Sequence, residues 1–128
     1  MVNERKPDAR ATVRALMNVL VARKISVLLH QPAAALIGAN ESYSAQELAH
    51  VADVIAVLGG DGTMLAAMEK LGATDIPVAG INIGTLGFLT SCTDAELEFF
   101  ADSLLKNDYS TSERSLLHST IFHADGSY

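Results

Sequence analysis

The sequence has little cysteine, few aromatic residues and no long apolar run. Its single cysteine, Cys92, excludes an internal disulfide, and a lone thiol of this kind most often packs as a small apolar side chain. No apolar stretch reaches the roughly 18 residues that a transmembrane helix needs, and residues 1–8 are too polar for a secretory signal. We therefore expect a soluble cytoplasmic protein that does not bind a membrane.

Basic residues are also scarce. Nine Lys and Arg residues stand against 15 Asp and Glu residues, so the formal net charge is −6. Without a Lys/Arg-rich run, the chain lacks the positive surface that nucleic acids require, and no nucleic-acid partner is expected. A phosphorylated small molecule is compatible with this charge because backbone amides can bind phosphate. The four histidines lack the close pairing of zinc sites, so no metal site is assigned.

The sequence does contain an alternation of helical and strand patterns, and its 49% of apolar residues can fill the core of one domain. Capping boxes at 44–47 and 93–96 indicate two helix starts. Predicted helices cover 8–24, 44–51, 63–71 and 93–105, predicted strands cover 25–29, 54–58 and 78–81, and residues 31–43 form a predicted loop. This order predicts an α/β fold, an open parallel sheet with flanking helices on both faces.

The C-terminal end has a different pattern. Residues 114–123 are long enough for a strand, and Asp125-Gly126 is a hairpin-turn signal. A hairpin needs a return strand, yet the sequence ends at Tyr128. We therefore expect an α/β nucleotide-binding domain over residues 1–112 and, over residues 113–128, the first strand of a truncated, β-rich C-terminal domain.

The strongest functional signal is a glycine-rich segment between a predicted strand and a predicted helix. Residues 54–58 lead directly into Gly59-Gly60-Asp61-Gly62, here named the first glycine loop, and Thr63 follows. Such a loop lies at the carboxyl end of a parallel strand, where ligands of open α/β sheets bind, and its amides can approach a phosphate closely. A tight turn capped by Asp61 or Thr63 is the alternative. A carboxylate at a phosphate site indicates a further task, such as accepting a proton or orienting a hydroxyl.

A second segment makes the pattern specific. Residues 76–81 precede Asn82-Ile83-Gly84-Thr85-Leu86-Gly87-Phe88-Leu89, here named the second glycine loop. The GGDGT sequence resembles the superfamily of NAD kinases, diacylglycerol and sphingosine kinases, and 6-phosphofructokinases. The second glycine loop resembles the NAD kinase pattern, whereas lipid kinases have a G-T-G-N-D-type loop there. The resemblance covers about residues 10–122.

The resemblance implies an NAD kinase, which uses ATP to phosphorylate the 2′-hydroxyl of NAD and forms NADP. Asp61 would be the catalytic base, and Gly60, Asp61, Gly62 and Thr63 would contact the nucleotide. Phe88 would line the NAD pocket, with a position in the core as the alternative. Mg²⁺ or another divalent metal would accompany ATP, no metal ligand is assigned to the chain, and the parent enzyme would be a homo-oligomer.

Three departures limit what the resemblance implies. Residues 1–9 lack the apolar strand with which family members usually begin, and Ala66 stands where several members have a basic residue. The C-terminal signature that contacts the nicotinamide ribose has no counterpart. We therefore expect weak or no kinase activity from this chain alone. A lipid or sugar kinase of the same superfamily and a non-catalytic nucleotide-binding module are the alternatives. Asn82 is expected to hold its loop through hydrogen bonds to the backbone.

Overall fold

The fold is a small parallel sheet between helices. The computed structural model describes residues 1–85, 87–117, 119 and 120. In chain order its elements are α1 (Ala9–Ala22), α2 (Gln31–Ile37), α3 (Ala45–Val51), β1 (Ile55–Gly59), α4 (Asp61–Leu71), β2 (Val78–Asn82), β3 (Cys92–Thr93) and α5 (Leu97–Lys106), and a 3₁₀ turn at Asp94–Glu96 leads into α5. The predicted α/β class with a parallel sheet is confirmed.

The three strands run in the order β1-β2-β3, and both pairs are parallel. The register of the first pair runs from Ile55 opposite Val78 to Gly59 opposite Asn82. Because these two strands end at paired residues, the two glycine loops leave the sheet side by side at its carboxyl edge. This edge is where open α/β sheets bind their ligands.

Alternate residues of β1 face opposite sides of the sheet, as the pleat requires. Ile55 and Val57 belong to one buried cluster with residues of α3 and α4, whereas Leu58 belongs to a second cluster with α1 and α5. Ile81 of β2 is fully buried in that second cluster. Helices therefore cover both faces, which explains why the predicted strands have nearly continuous apolar sequences.

The helix ends follow the local sequence signals. At α3, the Glu47 amide donates to Ser44 Oγ over 3.2 Å and the Ser44 amide donates to the Glu47 carboxylate over 2.7 Å, which confirms the predicted capping box. Before α5, the amide of Thr93 donates to the Glu96 carboxylate over 2.8 Å. Gly72 follows α4 with a positive φ of 68°, which a glycine adopts without steric cost.

Two predictions between residues 25 and 43 are wrong. The predicted loop at 31–43 contains α2, in which Pro32 lies in the first turn and Gly38 ends the helix in the left-handed conformation. The predicted strand at 25–29 is an extended segment with alternate residues half-buried and exposed. It joins no strand ladder in the described part of the chain, and its end contacts Tyr43, whose amide donates to Leu29 O over 2.8 Å.

Neither end of the chain forms a regular strand in the described residues. Val2 forms one isolated parallel bridge with Leu58, on the side of β1 away from β2. The predicted strand at 114–123 is not formed at residues 114–117, 119 and 120, which are exposed outside the sheet. A strand needs neighbouring backbone to complete its hydrogen bonds. The rest of that prediction, including Asp125-Gly126, lies outside the described residues.

None of the helices in the described residues combines the length and the apolarity that a bilayer crossing demands.

Candidate active site

The site is built where the two glycine loops meet. The Ile83 amide donates to Gly59 O over 3.2 Å, which continues the β1–β2 pairing one residue beyond the strands. The first glycine loop then enters α4 at Asp61, with Gly60 as the N-cap residue. The first-turn amides of α4 therefore face the carboxyl edge, which gives this edge a partial positive charge.

Asp61 joins the two loops directly. Its Oδ2 accepts a hydrogen bond of 3.0 Å from the Phe88 amide, and its Oδ1 accepts one of 2.9 Å from the Leu89 amide. These two bonds lower the pKa of the Asp61 carboxyl below its usual value of 3.8, so the side chain is ionised at neutral pH. An ionised carboxylate has about four acceptor positions, and in the described part of the chain two of them have no donor, which leaves them for a hydroxyl of a ligand.

Two glycines permit this close contact. A Cβ at Gly87 would lie 2.7 Å from Asp61 Cγ, and a Cβ at Gly59 would lie 2.6 Å from Thr63 Cβ. Real Cβ atoms do not approach other atoms this closely. A side chain at Gly87 would therefore displace the Asp61 carboxylate, and one at Gly59 would displace Thr63 from the first turn of α4.

Asn82 fixes the start of the second glycine loop. It is 1% exposed, and its side-chain amide donates to the carbonyl of Thr85. This contact confirms the side-chain-to-backbone role that the sequence predicts. Gly84 follows with a φ of 103°, a conformation that L side chains rarely adopt. The loop thus turns sharply back toward the first glycine loop.

The residues predicted to bind the nucleotide lie at this carboxyl edge. Gly60 and Thr63 are half-buried, Gly62 is exposed, and Asp61 lies between them on α4. Phe88 is 98% exposed, so the alternative that places it in the core is wrong. The sequence did not indicate the bonds from Asp61 to the second glycine loop, because residues 27 and 28 positions apart meet only through the strand register.

The described residues include no group of three or more His, Cys, Asp and Glu side chains placed to hold a metal ion. The single cysteine is buried in β3, and burial raises the pKa of the Cys92 thiol to about 11. The thiol therefore stays protonated at neutral pH and acts as a packing residue, as the sequence predicts. A cavity of about 380 Å³ lies between residues 27–29 and 39–43, and none of its lining residues belongs to the glycine loops.

Fold and site together define an open α/β protein with two glycine loops and a carboxylate at the carboxyl edge of its sheet. The family profile of the ATP-NAD kinase N-terminal domain matches residues 1–109. This chain therefore belongs to the ATP-NAD kinase family.

Curated relatives agree with this assignment. The chain is 37% identical over 121 residues to the NAD kinase of Moorella thermoacetica, and the match covers 94% of this chain and 39% of that enzyme. It is 34% identical over 117 residues to the NAD kinase of Syntrophotalea carbinolica, covering 91% of this chain and 41% of the relative. The chain thus spans about two fifths of the length of these relatives.

A solved structure supports the fold. The crystal structure of yeast NADH kinase complexed with NADH matches with a TM-score of 0.62 and 21% sequence identity. The match covers 83% of this chain and 36% of the yeast chain. Sequence identity at this level supports the shared architecture and not the shared substrate.

Proposed function

We propose that this chain is the nucleotide-binding part of an NAD kinase, which transfers the γ-phosphoryl group of ATP to the 2′-hydroxyl of NAD and forms NADP. The observation that carries the proposal is the position of Asp61, an ionised carboxylate on the first glycine loop that accepts only two hydrogen bonds from the described residues and so has acceptor positions for a ligand. Family membership supports the same conclusion.

In this proposal, the backbone of Gly60 and Gly62 and the hydroxyl of Thr63 contact the nucleotide phosphates. The exposed ring of Phe88 packs against NAD, which suits an aromatic face that has no place in the core. Asp61 accepts the hydrogen bond of the ribose 2′-hydroxyl and takes its proton as the new oxygen–phosphorus bond forms and the bond between the γ-phosphorus and the departing ADP breaks. Because its pKa is lowered, Asp61 is a weak base, which suits proton transfer late in the reaction.

The divalent metal is part of the substrate in this proposal. The described residues do not gather a ligand set of their own, so Mg²⁺ would enter bound to the ATP phosphates. NAD and ATP are the proposed small-molecule partners, and a cytoplasmic location is part of the proposal because both are available there. A homo-oligomeric parent enzyme is also proposed, and exposed apolar side chains such as Phe99 and Leu117 give it surface to bury.

One observation favours a second candidate, a nucleotide-binding module without turnover. Both oxygens of Asp61 already accept backbone hydrogen bonds, so the carboxylate could serve the loop structure alone. A lipid or sugar kinase is less well supported, since the matching relatives are named NAD kinases.

The test uses this chain alone and a chimera in which the chain replaces the matching segment of the Moorella thermoacetica enzyme. We expect NADP formation from NAD and MgATP by the chimera, and little or none by the chain alone, because the chain spans about two fifths of such an enzyme. In the chimera, Asp61→Asn should lower kcat by about 100-fold or more, the usual contribution of a general base.

A matched control is Asp53→Asn, which changes the same charge at an exposed residue before β1. Circular dichroism must show that both variants fold. A folded Asp61→Asn chimera that keeps most of its activity would remove Asp61 from the mechanism. If the unmodified chimera folds and binds NAD but forms no NADP, the non-catalytic module is the better description.

A further inference from the structure

A third segment reaches the same edge of the sheet. The Leu58 amide donates to Met1 O over 2.8 Å, and the Asn3 amide donates to Leu58 O over 2.9 Å, so residues 1–3 run parallel to β1. Because they run in the same direction as β1, the residues that follow leave the sheet at its carboxyl edge. The two glycine loops leave the sheet at that edge as well.

A hydrogen-bonded turn then fixes Lys6. Asn3 Oδ1 accepts from the Arg5 amide over 3.1 Å, and Asn3 O accepts from the Lys6 amide over 3.2 Å. Lys6 O in turn accepts from the amide of Ala9, the first residue of α1, over 3.1 Å. The backbone of Lys6 is therefore held on both sides, by the N-terminal segment and by the start of α1.

The side chain of Lys6 extends to the second glycine loop. Its Nζ lies 3.6 Å from the position that a Cβ would occupy at Gly84. The side chain is half-buried, and the ion pairs within 4.0 Å in the described part of the chain all involve Arg23 and not Lys6. An ammonium group thus lies beside glycine backbone at the carboxyl edge, and no carboxylate in the described part of the chain lies within 4.0 Å of it.

We propose that Lys6 is a phosphate-binding residue of this site and contacts the polyphosphate chain of a nucleotide bound across the two glycine loops. The proposal rests on the proposed function for the identity of the nucleotide, but not for the phosphate chemistry. Backbone amides bind phosphate by hydrogen bonding alone. In a chain of net charge −6, the ammonium adds a full positive charge to the partial charge of the first-turn amides of α4.

Titration of the 128-residue chain with inorganic tripolyphosphate, followed by calorimetry at low salt, tests the proposal. We expect Lys6→Ala to weaken binding about tenfold or more, since a hydrogen bond between charged groups contributes that much. Lys6→Arg should bind within about threefold of the wild type because the charge is kept. The control is Lys106→Ala, which removes the same charge from the exposed end of α5.

Three results would overturn the proposal: no binding of tripolyphosphate by the folded wild-type chain, binding by Lys6→Ala within twofold of the wild type, or an equal loss in Lys106→Ala. Parallel titrations with ATP and with NAD identify the source of the phosphates, since the variant should weaken the one whose phosphates Lys6 contacts. NADP formation by the chimera is a separate readout. If a Lys6→Ala chimera keeps normal turnover at low ATP and NAD, the phosphate-binding role of Lys6 is contradicted and the proposed kinase function is not. If the chimera shows no turnover although phosphate binding still depends on Lys6, the proposed kinase function is contradicted and the role of Lys6 is not.

Discussion

Asp61 connects the two glycine loops through its position in the chain and through its carboxylate. It is the first residue of α4 and lies on the first glycine loop, and its carboxylate accepts hydrogen bonds from the amides of Phe88 and Leu89 in the second glycine loop. A group that positions its own neighbouring loop has a fixed orientation before any ligand arrives. Fixed orientation is what a hydrogen-bond acceptor for a reacting hydroxyl requires, because misplacement lowers the rate.

Gly87→Ala should displace the Asp61 carboxylate without changing its chemistry, because the new Cβ would lie 2.7 Å from Asp61 Cγ. We expect the pKa of Asp61 to rise toward its usual value of 3.8 and the melting temperature at neutral pH to fall. Carbon-detected NMR titration of the Asp61 carboxyl measures the first effect. Gly62→Ala is the matched control, since a Cβ there meets no atom within 4 Å. An Asp61 pKa in Gly87→Ala as low as in the wild type would contradict the structure at this contact.

The pH dependence of this contact has a defined sign. Because folding lowers the pKa of Asp61, its stabilising effect is present above the usual value of 3.8 and is lost as the pH falls through the lower value of the folded state.

Part of this site could be predicted from the sequence alone. The glycines, Asp61 and the internal contact of Asn82 belong to contiguous motifs, so their local geometry follows from residue type and spacing. The bonds between Asp61 and the second loop could not be predicted, because they depend on Gly59 lying opposite Asn82. Lys6 gave no signal either, since a single lysine in a polar segment has no periodicity.

At the scale of elements, the sequence predicted α3, β1, α4, β2 and α5 to within a few residues, and it did not predict α2. Its seven residues are too few for a helical period to appear. Pro32 and Gly38 were interpreted as loop residues, although proline in the first turn and glycine just after the last turn are typical of a helix. The two residues of β3 are likewise too few to give a strand pattern.

Ile81 of β2 belongs to the larger core cluster and is fully buried. Ile81→Ala should lower the free energy of unfolding by about 2–5 kcal/mol, and Ile81→Val by about 0.5–1.5 kcal/mol, because each removes buried methyl groups and leaves a cavity. Urea denaturation followed by circular dichroism measures both. Leu65→Ala on α4, where the side chain is 60% exposed, should change stability by no more than about 0.5 kcal/mol. Equal losses from Ile81→Ala and Leu65→Ala would contradict this placement of the core.

At the scale of the whole molecule, one edge of the sheet gathers three segments that are distant in sequence. Residues 3–6, the first glycine loop and the described residues of the second all meet there. The ion pairs of Arg23 with Glu98 and Asp102, both 2.6 Å, join the end of α1 to α5 and involve none of these three segments. The molecule thus separates the contacts that hold its helices from the edge at which it would bind a ligand.

Acid stability depends on a buried histidine outside the two glycine loops. His30 precedes α2, is 7% exposed, and its Nδ1 has no hydrogen-bond partner in the described part of the chain. Burial is the main cause that lowers the pKa of His30 from 6.5 to about 4, with smaller contributions from the positive charges of the Met1 amino group and Lys70. The folded chain therefore holds this imidazole neutral at pH values where the unfolded chain protonates it.

Because folding lowers the pKa of His30, its contribution to stability is complete above pH 6.5 and is lost as the pH falls toward 4. His30→Gln should flatten the fall in melting temperature over this interval, since glutamine does not titrate. The buried amino group of Met1, whose pKa is lowered to about 5, titrates in the same direction and leaves part of the slope in place. His50→Gln, which makes the same substitution at an exposed position of α3, is the matched control. Thermal melts at intervals between pH 4 and 8 measure all three proteins, and a His30→Gln slope that equals the wild-type slope would mean that His30 titrates alike in the folded and unfolded chains.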